Sequence, residues 1–238
     1  MTTQVSEVET HKPVRRVNLG CGLNPFPGWE NVDRSLGPWL ARHRVLTSVL
    51  KRTQLLSPYQ QPVSWDPTIR RVDVLEGLPW PDRSVDVVYS ANMLHRLPRA
   101  AVGPFLSECL RVLKDGGLLR IGVPDLGAAA RAYVEQSDRG NETAADGFMR
   151  WLDLAPRLRR AGRRPYGVLL VLRRRPRQWM YDFPSLKAAL DKAGFEQVVQ
   201  CPTRQGRCPD LEHEAPDLGA TAEQFTFNLF AEAIRPAG

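Results

Sequence analysis

The chain has 238 residues, of which 42% are hydrophobic, enough to bury one full core as a single domain. Its formal net charge is +7 and most of its basic residues are Arg, which favours an anionic partner without choosing one. No stretch reaches the roughly 18 apolar residues of a membrane span, and no Cys-x-x-Cys pair joins Cys21, Cys109, Cys201 and Cys208, so a zinc module is excluded. A reducing, cytoplasmic location is expected. Residues 1–13 are polar, show no signal-peptide pattern, and are expected to form a disordered tail.

Val14–Leu19 is a short β-prone run that stops at Gly20-Cys21-Gly22, and a second strand around Asn31-Val32 ends on Asp33. Glycines at the end of a first parallel strand let a ligand approach the backbone closely, and an acid ending the second can accept from a ribose diol. A dinucleotide fingerprint requires a third Gly three residues after the second and an acid about 20 residues on. Here the third position is Pro25, and Asp33 lies 11 residues after Gly22. Pro25 and Pro27 also deny a pyrophosphate its helix N-terminus. A ribose held against the backbone without a diphosphate describes S-adenosylmethionine.

Residues 38–56 read as an amphipathic helix with a basic face, serving the core, a lid or a membrane surface. A third strand, Ile69–Val72, ends at Asp73, and Val85–Tyr89 is a fourth, continuous and β-branched as buried parallel strands are. Residues 98–113 carry helical spacing, with Lys114-Asp-Gly-Gly117 as the stop. Leu118–Val123 is a fifth strand. Residues 127–151 look helical, and an Arg-rich stretch from Arg157 to Arg177 follows. Gln178–Phe183 is strand or helix, Pro184–Gly194 a helix, and Glu196–Gln200 and Phe225–Ile234 the last strands. Strands alternating with helices predict a parallel α/β sheet with right-handed crossovers.

The motifs Val17-Asn-Leu-Gly-Cys-Gly22, Gly28–Asp33, Asp73–Ser90 and Glu108–Gly117 together resemble a class I S-adenosylmethionine-dependent methyltransferase of the methyltransferase type 11 kind. The resemblance covers Val14–Leu126 strongly, and Gln178–Val199 and Phe225–Ile234 weakly. It implies a Rossmann-like, mostly parallel seven-stranded sheet with helices on both faces. The expected domain is 14–238, with insertions at about 34–68 and 127–177, the latter basic and following the fifth strand. It also implies a cofactor site of Asn18, Gly20, Cys21, Gly22, Asp33, Asp73, Val74 and Ser90. Gly20 and Gly22 would pass under methionine and ribose, Asp33 would hold the ribose hydroxyls, and Asp73 and the Val74 backbone would take the adenine. Asn18 stands where relatives carry an acid, and His95 where many carry Glu.

Methyl transfer needs alignment of nucleophile and methyl group, and a hydroxyl acceptor also benefits from a base. His95 is the first candidate base, since an imidazole titrates near neutral pH; lining the cofactor pocket or packing under a helix is its other reading. His213, flanked by Glu212 and Glu214, is a second base or metal candidate. Asp125, Trp179 and Tyr181 are candidate acceptor contacts, the aromatics equally readable as core. The Arg cluster is an insertion, a mouth for an anionic acceptor, or a membrane or nucleic-acid patch.

The expected function is O-methylation of a sugar, glycan precursor or secondary metabolite, leaving S-adenosylhomocysteine. The rivals are a non-catalytic scaffold for an anionic partner and a nucleic-acid methyltransferase. No metal ligands are assigned, no specific nucleic acid is expected, peripheral membrane contact is allowed, and divalent-metal need and oligomeric state stay open.

Overall fold

The computed structural model of the protein describes residues 14–43, 65–154, 177–214 and 227–238. Seven strands form one sheet: β1 (Arg16–Leu19), β2 (Glu30–Asp33), β3 (Arg70–Arg71), β4 (Val85–Ala91), β5 (Leu113–Pro124), β6 (Glu196–Cys201) and β7 (Asn228–Ile234). Their order is β3-β2-β1-β4-β5-β7-β6. The β3-β2, β2-β1, β1-β4 and β4-β5 ladders are parallel, while β7 runs antiparallel to both β5 and β6. Strand order reverses between β1 and β4, so the ligand crevice of such a sheet opens there, past the strand carboxyl ends.

The helices are α1 (Gly37–Arg42), α2 (Arg99–Val112), α3 (Leu126–Asp138), α4 (Ala144–Trp151) and α5 (Phe183–Lys192). One sheet face carries the larger apolar core. Val17, Leu19, Val88, Leu119, Ile121 and Leu229 pack there against Phe105, Leu106 and Cys109 of α2 and Leu186 and Leu190 of α5. Each fully buried Leu, Ile or Phe contributes about 1.5–3 kcal/mol. Asp182 caps α5 and exchanges side-chain and backbone hydrogen bonds with Ser185, which fixes where the helix starts.

The opposite face is covered differently. Tyr89, Leu118 and Phe230 are roofed by Phe26 and Trp29 from the β1–β2 loop and by Cys208 and Leu211 from the β6–β7 connection. These covering residues come from loops and from the short 3-10 turn Leu211–His213. Most of the helix expected at 38–56 and nearly all of the Arg-rich stretch lie outside the described residues. So do the tail at 1–13 and the first part of the last expected strand.

The loop cover is fastened by a buried ionic cluster. Arg120 of β5 and Glu214 are 0% exposed and Glu232 of β7 is 1% exposed. Arg120 donates twice to Glu214, both at 2.8 Å, and once to Glu232 at 3.0 Å. Its remaining donors meet the carbonyls of Gln205 and Pro202. The backbone amides of Arg204, Arg207 and Cys208 in turn donate to the two carboxylates. Burial alone would lower the Arg120 pKa, but the hydrogen bonds and charge of Glu214, then the charge of Glu232, outweigh it and hold the guanidinium charged. Burial, reinforced by Glu214, raises the Tyr89 hydroxyl beside them. Gly206 (φ +148) lies so close that an added Cβ would sit 2.2 Å from a Glu232 oxygen.

Three local expectations are corrected. α2 stops at Val112 because Leu113 turns extended (φ −67, ψ 142), and not on the glycines. Those glycines form a bulge in β5, where pairing jumps from Val85↔Leu113 to Val87↔Leu118 and Gly116 takes φ +72. The helical stretch 127–151 is two helices, split around Gly140 (φ +78), which ends α3. Gln178–Asp182 is neither strand nor helix, and α5 begins at Phe183; Tyr181 makes a single parallel bridge to Asp125. Among the described residues no helix is long and apolar enough to cross a membrane.

Arg120→Met leaves two carboxylates buried without their partner and is expected to cost about 3–5 kcal/mol, read by urea unfolding. A loss below about 1 kcal/mol would contradict this account of the loop cover.

A second pair clamps the β3–β4 connection. Glu108 accepts from Arg111 at 2.7 and 2.8 Å and from the Leu78 amide at 2.8 Å. The Arg111 hydrogen bond, helped by the Leu78 amide, brings the Glu108 pKa from 4.5 to about 2. The ionised form is therefore the stabilised one. Its contribution is complete above about pH 4.5 and is lost as pH falls towards 2. Thermal melts of Glu108→Gln should show a shallower acid limb across that window than the parent.

Candidate active site

The glycine loop leaves β1 at the switch point, and it is braced by hydrogen bonds of its own. The amides of Gly20 and Cys21 both donate to the Val32 carbonyl, at 2.8 and 3.1 Å. The Gly22 amide donates to Asp33 Oδ2 at 2.9 Å. These N–H groups hold the loop onto β2. What the glycines supply is conformation and space. Gly20 and Gly22 take φ +68 and +58, and a Cβ on Gly22 would meet nothing within 4 Å. A Cβ on Gly20 would lie 2.8 Å from Met93 Sδ, so the segment leaving β4 packs onto the loop leaving β1.

Asp33 ends β2 with Oδ2 on Gly22 and Oδ1 on the Ser35 amide at 2.7 Å. Each carboxylate oxygen retains a lone pair for a diol. Asp73 follows β3; its Oδ1 accepts from the Leu75 amide at 3.2 Å, and Arg34 lies 3.4 Å from Oδ2. It thus shapes its own turn and also meets a cation immediately after Asp33. Val74 beside it is buried.

Asn18 points elsewhere. Its register partner on β2 is Asn31, and its amide donates to Asn31 Oδ1 at 3.0 Å and to the Asn24 carbonyl at 3.3 Å. Asn31 then ties the amide and carbonyl of Phe26 and the carbonyl of Trp29. The amide hydrogens of Asn18 therefore serve the loop over the second sheet face. Cys21 is buried, and burial, then the charge of Asp33, pushes its thiol far up, so it is no nucleophile. Ser90 is buried and donates to the Leu19 carbonyl at 3.2 Å, pinning β4 to β1 just before the loop.

Beyond β4, Leu94–Arg96 make one 3-10 turn, with His95 1% exposed. The His95 carbonyl accepts from the amides of Gln178 and Trp179 at 2.8 and 3.3 Å, so the turn lies against that segment. Tyr181 is fully buried, Trp179 46% exposed. Asp125 caps α3 through the Ala128 amide at 3.0 Å, bridging to Tyr181. The fold thus brings His95, Asp125, Trp179 and Tyr181 to the exits of β4 and β5. Arg99, in the first turn of α2, joins them, with its guanidinium 5.0 Å from the Trp179 ring centre and 5.5 Å from that of Tyr181.

His213 falls elsewhere. Its carbonyl accepts from Asn24 at 3.1 Å and its ring lies 5.9 Å from Phe26. Glu214, its expected companion, is committed to Arg120, so the trio cannot assemble as a metal site. Among the described residues no group of three His, Cys, Asp or Glu could hold a metal ion.

Sequence reasoning missed Met93, Asn31, Arg34 and Arg99. Asn31 alone had a signal, since it shares a sheet face with Asp33 two residues on. The other three contacts join segments that only the fold brings together.

Residues 46–121 match a family model described as a methyltransferase domain. That match covers about a third of the chain, and the strand order above is Rossmann-like. The matched region includes Asp73 and His95 but begins after the glycine loop and Asp33. A Mycolicibacterium smegmatis protein named "Probable S-adenosylmethionine-dependent methyltransferase" is 42% identical over 59 residues. That match spans 23% of this chain and 22% of the relative, so about a fifth of the relative's length is represented. A Thermotoga maritima SAM-dependent methyltransferase superposes at 14% identity and TM-score 0.45, covering 94% of this chain and 83% of its own. The DszA carbon methyltransferase superposes at 15% and 0.46, covering 98% and 50%.

Gly20→Ala is expected to destabilise by about 1–3 kcal/mol, from a left-handed backbone and the contact with Met93. Adding Met93→Ala should recover only the contact part. Full recovery in thermal melts would mean that the backbone conformation costs nothing.

Proposed function

We propose that this protein is an S-adenosylmethionine-dependent methyltransferase that methylates a hydroxyl of a small molecule, a sugar, glycan precursor or secondary metabolite. The observation that carries this reading is the placement of Gly20–Gly22, Asp33 and Asp73. They stand at the carboxyl ends of three adjacent parallel strands, beside the switch point.

The residues fit the donor. Gly22 faces open space, Asp33 keeps acceptor capacity for a ribose diol, and Asp73 can take an exocyclic amine beside Val74. When bound, S-adenosylmethionine supplies an activated methyl group on a sulfonium. The chain's own task is then to align an acceptor oxygen with that methyl. The exits of β4 and β5, where Met93 touches Gly20, put the acceptor side next to the donor side.

His95 is the residue to take the acceptor proton. Its enclosure against Gln178–Trp179 supports a role confined to a hydroxyl delivered beneath that segment. Trp179 and Tyr181 would flank the acceptor. His213, half exposed and engaged with the β1–β2 loop, has less support as a base. The four cysteines are free thiols, consistent with a cytoplasmic setting.

Calorimetric titration with S-adenosylmethionine should give saturable binding that weakens at least tenfold in Asp33→Ala. No heat at high micromolar cofactor would sink the proposal. Once an acceptor is found by mass spectrometry, His95→Gln should lower turnover by about 10²–10⁴ and leave cofactor affinity unchanged.

A further inference from the structure

The geometry points to an acceptor that carries an anionic group, a carboxylate or phosphate, docked on Arg99 with its ring against Trp179. This rests on the methyl-transfer reading above and names the substrate class for it.

Arg99 lies at the exit of β4, one short turn beyond His95. Its guanidinium is framed by Trp179 and Tyr181, and one Nη donates to the Tyr181 hydroxyl at 3.2 Å. That leaves four of its N–H donors. Among the described residues it makes no ion pair. Other arginines differ: Arg34 meets Asp73, Arg111 is held by Glu108 and Asp82, and Arg120 is closed off by two glutamates.

Helix stabilisation does not explain the residue. A cation in the first turn of α2 opposes the helix dipole, and the first turn holds no acid to offset it. Fastening Trp179 does not explain it either, because that indole stays 46% exposed. The segment is already anchored through the His95 carbonyl and through Tyr181 and Leu126. What the arrangement provides is an exposed guanidinium beside two rings, with donors left over after its bond to the Tyr181 hydroxyl. Such donors match the paired oxygens of a carboxylate or phosphate. The exposed indole beside it suits a planar or sugar ring. The site adjoins His95 and Asp125, so an acceptor anchored by its anion presents its hydroxyl at the reaction edge.

The test uses the full chain and three probes: benzoate, inorganic phosphate and benzyl alcohol. Calorimetry should show saturable binding of benzoate, weaker binding of phosphate and none of benzyl alcohol. Arg99→Gln should weaken benzoate at least tenfold, Trp179→Ala should weaken benzoate but not phosphate, and S-adenosylmethionine binding should stay intact in both. Arg99→Lys should recover part of the affinity. Should Arg99→Gln lower the melting temperature, the parent protein decides: benzoate must shift the Arg99 Nε–H resonance.

Equal benzoate binding in parent and Arg99→Gln, benzyl alcohol binding as well as benzoate, or no saturable anion binding overturns the inference. Those results with normal cofactor binding leave methyl transfer standing. Absent cofactor binding removes the methyl-transfer reading itself.

Discussion

The positive charge of Arg120, enclosed between Glu214 and Glu232, is the interaction on which the donor side of this molecule depends. A guanidinium moved out of water costs several kcal/mol unless its partners are close and fully bonded. Here the partners of this β5 residue come from two places: Glu232 of β7 and the stretch Pro202–Glu214 of the β6–β7 connection. That stretch is thereby drawn over the second sheet face. From there the bracing is passed on. Asp210 in the same connection accepts from Arg16 at 2.7 Å and from the Trp29 indole at 2.8 Å, and the His213 carbonyl holds Asn24. The β1–β2 loop is thus fixed from outside by a cluster lying beyond β4 in the sheet.

The same loop is fixed from within by Asn18, Asn31 and the Val32 carbonyl. Between the two sets of bonds its backbone donors are largely satisfied. A ligand there meets a preformed surface of glycine backbone and carboxylate, and little ordering entropy remains to oppose binding. Where a helix would have offered its N-terminus to a phosphate, a proline-bearing loop offers none.

The segments leaving β1 and β4 pack together where Met93 lies against Gly20, just beyond the Ser90–Leu19 hydrogen bond. On the donor side β1, β2 and β3 present acids and glycines at their ends. On the acceptor side the exits of β4 and β5 present His95, Asp125 and the Arg99–Trp179–Tyr181 cluster. The acceptor side is assembled from segments about 80 residues apart in the chain, such as Arg99 and Tyr181. Its specificity is therefore a property of the packing of α2 against the stretch before α5.

The strands and their parallel order were legible because buried parallel strands are written as short β-branched runs ended by Gly, Pro or Asp. The glycine loop follows from the same local chemistry, whereas the reversal of strand order is set by the tertiary fold. Asp33 and Asp73 were legible as strand-end acids, and the spacing from Gly22 to Asp33 excluded dinucleotides. Side-chain direction was not legible. Asn18 reads from sequence as a cofactor contact, and its place opposite Asn31 also makes its amide hydrogens a support of the loop. Glu214 reads as a ligand beside His213, yet Arg120 claims it from 94 residues away. Local sequence determines which backbone groups end a strand and which residues alternate to a face. Which charge finds which partner is decided only when the tertiary fold removes them from water together, because a buried charge accepts whichever opposite charge the packing leaves nearest.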